Sequence, residues 1–145
     1  YHDFQGSHWS PHLIHKDVWN VVGGFSEEFD PGIGSDPDLN MKLWKKNVRI
    51  FKGLSNCRVY HFGSISLRKK KSLKRNKGSK TFLKKWGISV SFFLKYYLLK
   101  ASRYEYNKCI ITTKYTGPLK NPRISFFYLI ELFLCKINYI YTKYF

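Results

Sequence analysis

The first fifty residues contain two segments in which apolar positions recur with the spacing of a helix. In the first of them, residues 10–24, an extended piece over His12 to His15 is predicted to precede a short helix near Asp17 to Val22. Two glycines follow, and Gly23 or Gly24 can adopt the left-handed conformation that closes a helix without steric cost. We therefore expect this helix to stop at the glycine pair.

The second segment carries the clearest helix signals of the chain. Ser35 or Asp36 can cap its start, and Pro37 suits the first helical position. Asp38 then falls in the first turn, where a carboxylate satisfies free backbone N–H groups and complements the helix dipole. The helix is predicted to stop at Asn47, and its buried stripe is formed by Leu39, Leu43 and Trp44.

Two short strand candidates follow, residues 48–52 (VRIFK) and 57–62 (CRVYHF), separated by the turn-prone GLSN. Residues 64–80 have little apolar content and are predicted to form a loop or linker. Beyond them one helix is predicted to run through Gly87, because a single glycine weakens a helix without ending it. Its apolar face consists of Phe82, Leu83, Trp86, Val90, Phe93, Leu94, Tyr97 and Leu98.

The C-terminal part begins with an irregular stretch, residues 101–123, that ends in the breaker-rich TGPLKNP. After Pro122 the pattern predicts a long and very apolar helix. Glu131 and Lys136 lie at its centre, so the run of about 20 apolar residues that a membrane span requires is interrupted. We expect either a helix that lies in a membrane interface or one that packs on another part of a longer protein.

Charge is distributed unevenly along the 145 residues. The 26 Lys and Arg outnumber the 9 Asp and Glu, for a net charge of +17. Seven of the acids lie in residues 1–38, whereas ten Lys or Arg lie in residues 68–85. Such a basic run attracts phosphates, nucleic acid or anionic lipid. A general compositional bias toward lysine is the alternative explanation. The three cysteines, at 57, 109 and 135, show no disulfide or zinc spacing.

Three motifs follow one another in the first half of the chain: VGGFSE over 22–27, SDPDL over 35–39 and RVYH over 58–61. In this order they resemble the C-terminal half of the catalytic domain of family 2 glycosyltransferases, inverting enzymes with the GT-A fold. The stretches SHWSP, VYHFGS and KTFLKKWG resemble a bacterial or phage-type branch of that group.

The resemblance carries an expectation for the fold. It implies an α/β arrangement of short mixed strands with helices, as in the C-terminal part of a GT-A domain, followed by a mainly helical C-terminal extension. The remaining nucleotide-binding strands would lie upstream of Tyr1. We therefore expect the chain to be a piece of a longer enzyme and to be inactive by itself.

The acid-rich stretch then acquires a chemical interpretation. In an inverting transfer a carboxylate removes the proton of an acceptor hydroxyl as that oxygen attacks the anomeric carbon of a nucleotide sugar. The resemblance gives this catalytic role to Asp36, with Ser35 standing where the family usually has Glu. A simple helix cap is the alternative for Asp36. Ser35 and Asp38 are assigned to the start of the helix on the acceptor side.

Binding residues are implied in the same way. His61 would be a ligand of Mg²⁺ or Mn²⁺ or a donor to the diphosphate, or simply a strand-end histidine bonded to the backbone. Most metal ligands would lie upstream, because SDPD follows PGIGS rather than a buried strand and is not itself the metal motif.

The basic segment and the N-terminal aromatic patch complete the predicted site. A lid that neutralises the leaving diphosphate would include Arg68, Lys69 and Lys70, with a solvated basic loop as the alternative. An acceptor-binding patch would be formed by His8, Trp9, Ser10 and His12, with a core-covering tryptophan as the alternative.

Three parts of the chain are expected to differ in role: residues 1–63 as the acceptor side of the catalytic domain, 64–80 as a basic lid, and 81–145 as a helical, membrane-associated extension. The expected partners are a nucleotide-sugar donor, a glycan or lipid-linked acceptor and an anionic membrane surface, with the protein in the cytoplasm or on the inner membrane face. Two alternatives lack catalysis, a basic nucleic-acid-binding module and a membrane-surface module. No zinc-finger or RNP-type pattern favours nucleic acid.

Overall fold

A computed structural model of the chain describes residues 2–6, 11–30, 32–57, 60, 78–99 and 114–144. Helices account for 53% of these residues, so the described part of the chain is helix-rich. The elements in chain order are β1 (Phe4–Gln5), α1 (Lys16–Val22), a 3₁₀ turn (Glu27–Phe29), α2 (Ser35–Lys45), β2 (Lys52–Gly53), α3 (Gly78–Trp86), α4 (Val90–Tyr96) and α5 (Phe126–Tyr144).

Helix α1 forms where its local signals place it. His15 has the extended conformation of an N-cap, and its ring Nδ1 accepts a hydrogen bond from the Asp17 backbone N–H at 3.3 Å. Gly23 ends the helix with a φ of 71°, a left-handed conformation that glycine adopts at little cost. The predicted helix and its glycine stop are both confirmed.

The start of α2 differs from the prediction. Gly34, with a φ of 91°, is the residue before the helix and provides no side-chain cap, and Ser35 is the first helical residue. A Cβ at position 34 would lie 3.1 Å from the main chain of Gly78, so the chain can enter the helix here only through glycine. The predicted cap at Ser35 or Asp36 and the predicted first position for Pro37 are therefore wrong.

The rest of α2 follows the sequence pattern. The predicted stripe is buried, with Leu39 fully inaccessible and Leu43 and Trp44 each 6% exposed. The chain turns away after the helix at Asn47, whose φ of 63° is left-handed and suits asparagine better than most residues. The predicted stop is confirmed.

The sheet joins segments that are far apart in sequence. Strand β2 pairs antiparallel with β1, with Phe4 opposite Gly53 and Gln5 opposite Lys52. Of the first strand candidate, 48–52, only the last residue belongs to a strand. The second candidate, 57–62, lies mostly outside the described residues. The partner of β2 is the N-terminal segment because the Gln5 amide and the Gly6 backbone N–H both donate to the Phe51 carbonyl.

The long helix predicted through Gly87 is instead two helices, α3 and α4, so that prediction is wrong. Gly87 takes a φ of 69°, which ends α3, and Ser89 caps α4 by accepting a hydrogen bond from the Phe92 backbone N–H at 3.1 Å. A glycine stop followed by a serine cap costs the chain little. The break turns α4 so that its aromatic residues reach α5.

One hydrophobic core draws on both ends of the described chain. Phe29 and Leu39 from the first half meet Phe82, Phe93 and Leu98 from the second half, and all five are fully buried. Helix α5, predicted after Pro122, is confirmed and packs on α3 and α4. The loop before α2 is thus fixed against α3, which is what positions the candidate site.

Substitution of Gly78 is expected to test this contact. A Cβ on Gly78 would collide with the main-chain carbonyl of Ile33 in the loop that leads into α2. Main chain cannot move aside as a flexible side chain can, so Gly78→Ala should lower the free energy of unfolding by about 2 kcal/mol, despite a helix-propensity gain of about 1 kcal/mol. Urea denaturation measures this, and the exposed neighbour Ser79→Ala is the control. Equal stabilities of the two variants would contradict the close approach.

Candidate functional site

The candidate site lies where α2 begins. Asp36, the second residue of the helix, keeps 18% of its side chain exposed, and His12 from the segment before α1 keeps 13%. His12 Nε2 donates a hydrogen bond to Asp36 Oδ1 at 3.0 Å. The carboxylate is therefore held in one orientation by an aromatic ring and is still reachable from solvent.

Two depressions adjoin this pair. The larger, of about 380 Å³, is lined by His12, Ile14, Lys16, Trp19 and Phe25. The smaller, of about 300 Å³, is lined by Phe25, Ser26, Glu27, Phe29, Asp30, Gly32 and Ser35. Asp36 is not among the residues that line either depression, but it is hydrogen-bonded to His12, which lines the first, and it follows Ser35, which lines the second. The carboxylate is therefore connected to both depressions through its neighbours.

Aromatic rings line the first depression, and one of them, Phe25, also lines the second. Trp19 and Phe25 pack edge to face with ring centroids 5.4 Å apart, and both side chains remain partly exposed, at 36% and 45%. Gly24 lies directly under the indole ring, where a Cβ would come within 2.7 Å of a ring carbon. An exposed aromatic face beside a carboxylate is a suitable surface for a sugar ring.

Asp38, two residues further along α2, is fully buried and binds side chains from other elements. Ser26 Oγ donates to its Oδ2 at 2.7 Å, and Trp86 Nε1 donates to its Oδ1 at 2.8 Å. Lys85 Nζ lies 3.0 Å from Oδ1. The predicted role for Asp38, satisfying backbone N–H groups at the helix start, is replaced by this cluster, because α3 brings two donors over the carboxylate.

Lys85 connects the cluster to the surface. Its Nζ contacts the exposed carboxylate of Glu28 at 2.5 Å as well as Asp38. Partial burial by itself lowers the pKa of Lys85, but the hydrogen bonds to Glu28 and Asp38 outweigh that effect, and the pKa is raised above its usual value. The ammonium therefore stays charged and holds the 3₁₀ turn, α2 and α3 together.

The structure brings together three of the predicted site residues, Ser35, Asp36 and Asp38, at one helix start. The Ser35 hydroxyl donates to the Gly32 carbonyl at 2.7 Å and stabilises the entry loop. The other predicted site residues lie outside the described residues and stay predictions: His8, Trp9, Ser10, His61, Arg68, Lys69 and Lys70.

Sequence reasoning missed four contributors to the site. Trp19 falls in the helix predicted near Asp17 to Val22 and Phe25 in the VGGFSE motif, and aromatic residues near an acid-rich stretch are a usable signal. Lys85 and Trp86 gave no signal of their own, since they lie 47 and 48 positions from Asp38 in the sequence. Only the packing of α3 reveals their role.

The family resemblance implies a divalent metal, and such an ion needs several ligand atoms placed around one point. Within the described residues, no group of three or more His, Cys, Asp or Glu side chains is placed to hold a metal. His12 and Asp36 would offer only two ligands, and the hydrogen bond between them already occupies His12 Nε2 and Asp36 Oδ1. The described part of the site therefore does not fit a metal by itself, and proton transfer is the chemistry that its geometry suits.

No family model, curated protein or solved structure matches this chain. The family resemblance consequently rests on the motifs in residues 22–27, 35–39 and 58–61.

Proposed function

We propose that the chain is the acceptor side of an inverting glycosyltransferase of the GT-A type and that Asp36 is its general base. The observation that carries the proposal is the Asp36 carboxylate, oriented at 3.0 Å by His12, which lines a depression together with the aromatic residues Trp19 and Phe25. A base must be fixed within hydrogen-bond reach of the proton it removes. A carboxylate at the rigid start of a helix satisfies this condition.

The proposed reaction begins with the acceptor sugar bound in the first depression. An acceptor sugar stacks on Trp19 and Phe25, and one of its hydroxyl groups points at the Asp36 carboxylate. The hydroxyl oxygen forms a bond to the anomeric carbon of the donor, and the bond from that carbon to the diphosphate breaks with its electron pair. The proton of the hydroxyl passes to Asp36, and the configuration at the anomeric carbon inverts because attack comes from the side opposite the leaving group.

Two supporting groups assist the base without touching the reacting atoms. His12 keeps the carboxylate from rotating, so the oxygen that accepts the proton stays aimed at the acceptor. The Asp38 cluster fixes the helix start on α3 and so limits movement of Asp36. Neither arrangement is needed by a module that only binds nucleic acid, which would require exposed cations rather than a positioned acid.

The rest of the proposal follows from the same reaction. The donor is a nucleotide sugar, the acceptor a glycan or lipid-linked hydroxyl, and the product contributes to a cell-envelope polysaccharide. Arg68, Lys69 and Lys70 would bind the diphosphate, and Mg²⁺ or Mn²⁺ would neutralise it when bound, held by His61 and residues outside this chain. Nucleotide sugars place the reaction in the cytoplasm or on the inner membrane face.

A transfer assay tests the proposal. The protein expressed from its complete coding sequence is incubated with Mg²⁺ or Mn²⁺, a membrane-lipid and glycan extract, and radiolabelled UDP-glucose, UDP-galactose, UDP-N-acetylglucosamine or GDP-mannose in turn. We expect label from at least one donor to enter the extract, with release of one nucleoside diphosphate per sugar. Failure of all four donors to label the extract or to release diphosphate would contradict the proposal.

A further inference from the structure

Helix α5 carries a continuous apolar stripe that nothing in the described chain covers. The stripe consists of Phe126, Leu129, Phe133, Ile137, Ile140 and Tyr144, which recur every three or four residues and therefore lie on one side of the helix. Each is between 47% and 73% exposed. We call this side the outer face of α5.

The opposite side of α5 already has its partners. Tyr128 contacts Phe92 and Tyr96 with ring centroids 5.1 and 5.0 Å away, and Cys135 is buried beside Ser89. Burial of Cys135 and half-burial of Leu132 and Tyr128 show which side faces the core. The outer face is therefore not a core face that has been left slightly open, but a second apolar side of the same helix.

The exposed area exceeds what a monomer in water normally shows. The largest apolar patch on a typical soluble monomer is about 300–600 Å², and six large side chains that are each 47% exposed or more, flanked by Ile130, Leu134 and Tyr141, exceed that range. Something must cover this face. None of the described helices has the length and apolarity to cross a membrane, so a transmembrane arrangement of α5 is not the explanation.

From this surface we propose that α5 docks the protein on an anionic lipid bilayer, with its axis parallel to the membrane plane and its outer face among the acyl chains. A 19-residue helix is roughly 28 Å long at 1.5 Å per residue. Lying in the interface, it would place the whole stripe in contact with lipid and leave its packed side on the protein. This inference does not depend on the proposed transfer reaction.

Charge is the reason for choosing a bilayer over a second copy of the chain. Each copy carries +17, so two copies facing each other across α5 would repel, whereas an anionic surface attracts. Lys136 and Lys143 are exposed and seven residues apart, so they lie on one border of the outer face, where long side chains can reach lipid head groups.

The acid on α5 does not oppose this arrangement. Glu131 lies toward the packed side, where the Lys95 ammonium donates a hydrogen bond to it. That bond lowers the pKa of Glu131 and raises that of Lys95, so the pair remains ionised and mutually neutralised at neutral pH. The outer face therefore presents apolar side chains and cations to the membrane and no negative charge. Together with the flanking residues Ile130, Leu134 and Tyr141, the outer face is also wider than the narrow apolar stripe by which helices pair in a coiled coil.

Vesicle flotation tests the proposal with the protein expressed from its complete coding sequence, so that any other part of the protein that packs on α5 is present. We expect the chain to float with phosphatidylcholine vesicles that contain phosphatidylglycerol and to float much less with phosphatidylcholine alone. The pair Phe133→Glu and Ile137→Glu should lower the partition constant about a hundredfold or more, because two large apolar side chains are removed from lipid. The pair Lys136→Gln and Lys143→Gln should lower binding to the anionic vesicles by about fivefold per lysine and hardly affect the neutral ones.

The matched control is the pair Val21→Glu and Ile50→Glu, which makes the same change in net charge at exposed apolar positions away from α5, 61% and 62% exposed. This control should still float.

A second measurement is fluorescence quenching by brominated lipid, which should be stronger for Phe133→Trp than for Ile50→Trp. A chain that stays at the bottom of the gradient with both lipids, or an α5 variant that floats as well as the control, would overturn the proposal. So would a dimer in sedimentation that only the α5 variant dissociates.

Discussion

Replacing Asp36 with asparagine is expected to lower the rate of sugar transfer by about 10²–10⁴-fold, the usual contribution of a general base. Asparagine has nearly the same shape and its oxygen can still accept the hydrogen bond from His12, but it cannot take a proton from the acceptor hydroxyl. Turnover is measured with the protein expressed from its complete coding sequence, at saturating donor. The donor's binding constant should change little, because Asp36 acts on the acceptor.

The chain contains its own control for this substitution. His15 and Asp17 form a second histidine–carboxylate pair at the start of α1. His15 Nδ1 lies 3.5 Å from Asp17 Oδ2, and the two side chains are 75% and 84% exposed. Asp17→Asn removes an equivalent charge from a similar pair without facing the depressions, so its rate should equal that of the wild type. Wild-type turnover by Asp36→Asn would remove the base from the proposal. An equal loss in both variants would point to a general effect of charge.

Parts of this fold were predictable because their causes are local in sequence. The end of α1 at Gly23, the end of α2 near Asn47 and the existence of α5 follow from residues within one or two turns of each event. The break between α3 and α4 was also locally encoded, by Gly87 and the Ser89 cap. The continuous apolar face across residues 82–98 concealed it, since a straight helix would satisfy the same periodicity.

The remaining features depend on contacts between distant segments. Gly34 replaces a side-chain cap because the main chain of Gly78 approaches it, 44 residues further along, and β2 finds its partner at the N-terminus. In the candidate site, Asp36 could be selected from its motif, whereas its hydrogen bond to His12 spans 24 positions and needed the fold to reveal it. Burial of Asp38 was likewise not readable, because an aspartate in a first helical turn is ordinarily exposed.

Asp38→Ala is expected to lower the free energy of unfolding by about 3 kcal/mol. Breaking a buried ionic cluster by removing one partner typically costs about 3–5 kcal/mol, because the other partners lose their acceptor. Here the lower end applies, since Lys85 keeps Glu28 and is still 23% exposed, whereas the Trp86 N–H loses its acceptor. Asp38→Asn should fall between the alanine variant and the wild type, because one amide oxygen can replace only one of the two acceptors.

Urea denaturation with Glu28→Gln as the control separates this cluster from an ordinary surface ion pair. Glu28 contacts the same ammonium but is 48% exposed, so its loss should cost no more than about 1 kcal/mol.

A pH series adds an independent check. The pKa of Lys85 is raised in the folded state, so its contribution to stability is complete below the ordinary lysine value of 10.5 and disappears as the pH rises through the raised value. The wild type should therefore lose more stability than Asp38→Ala above pH 10.5, which brings the two curves together. If Asp38→Ala is no less stable than Glu28→Gln, or if the curves stay parallel at alkaline pH, the buried carboxylate does not hold α2 on α3 through Lys85.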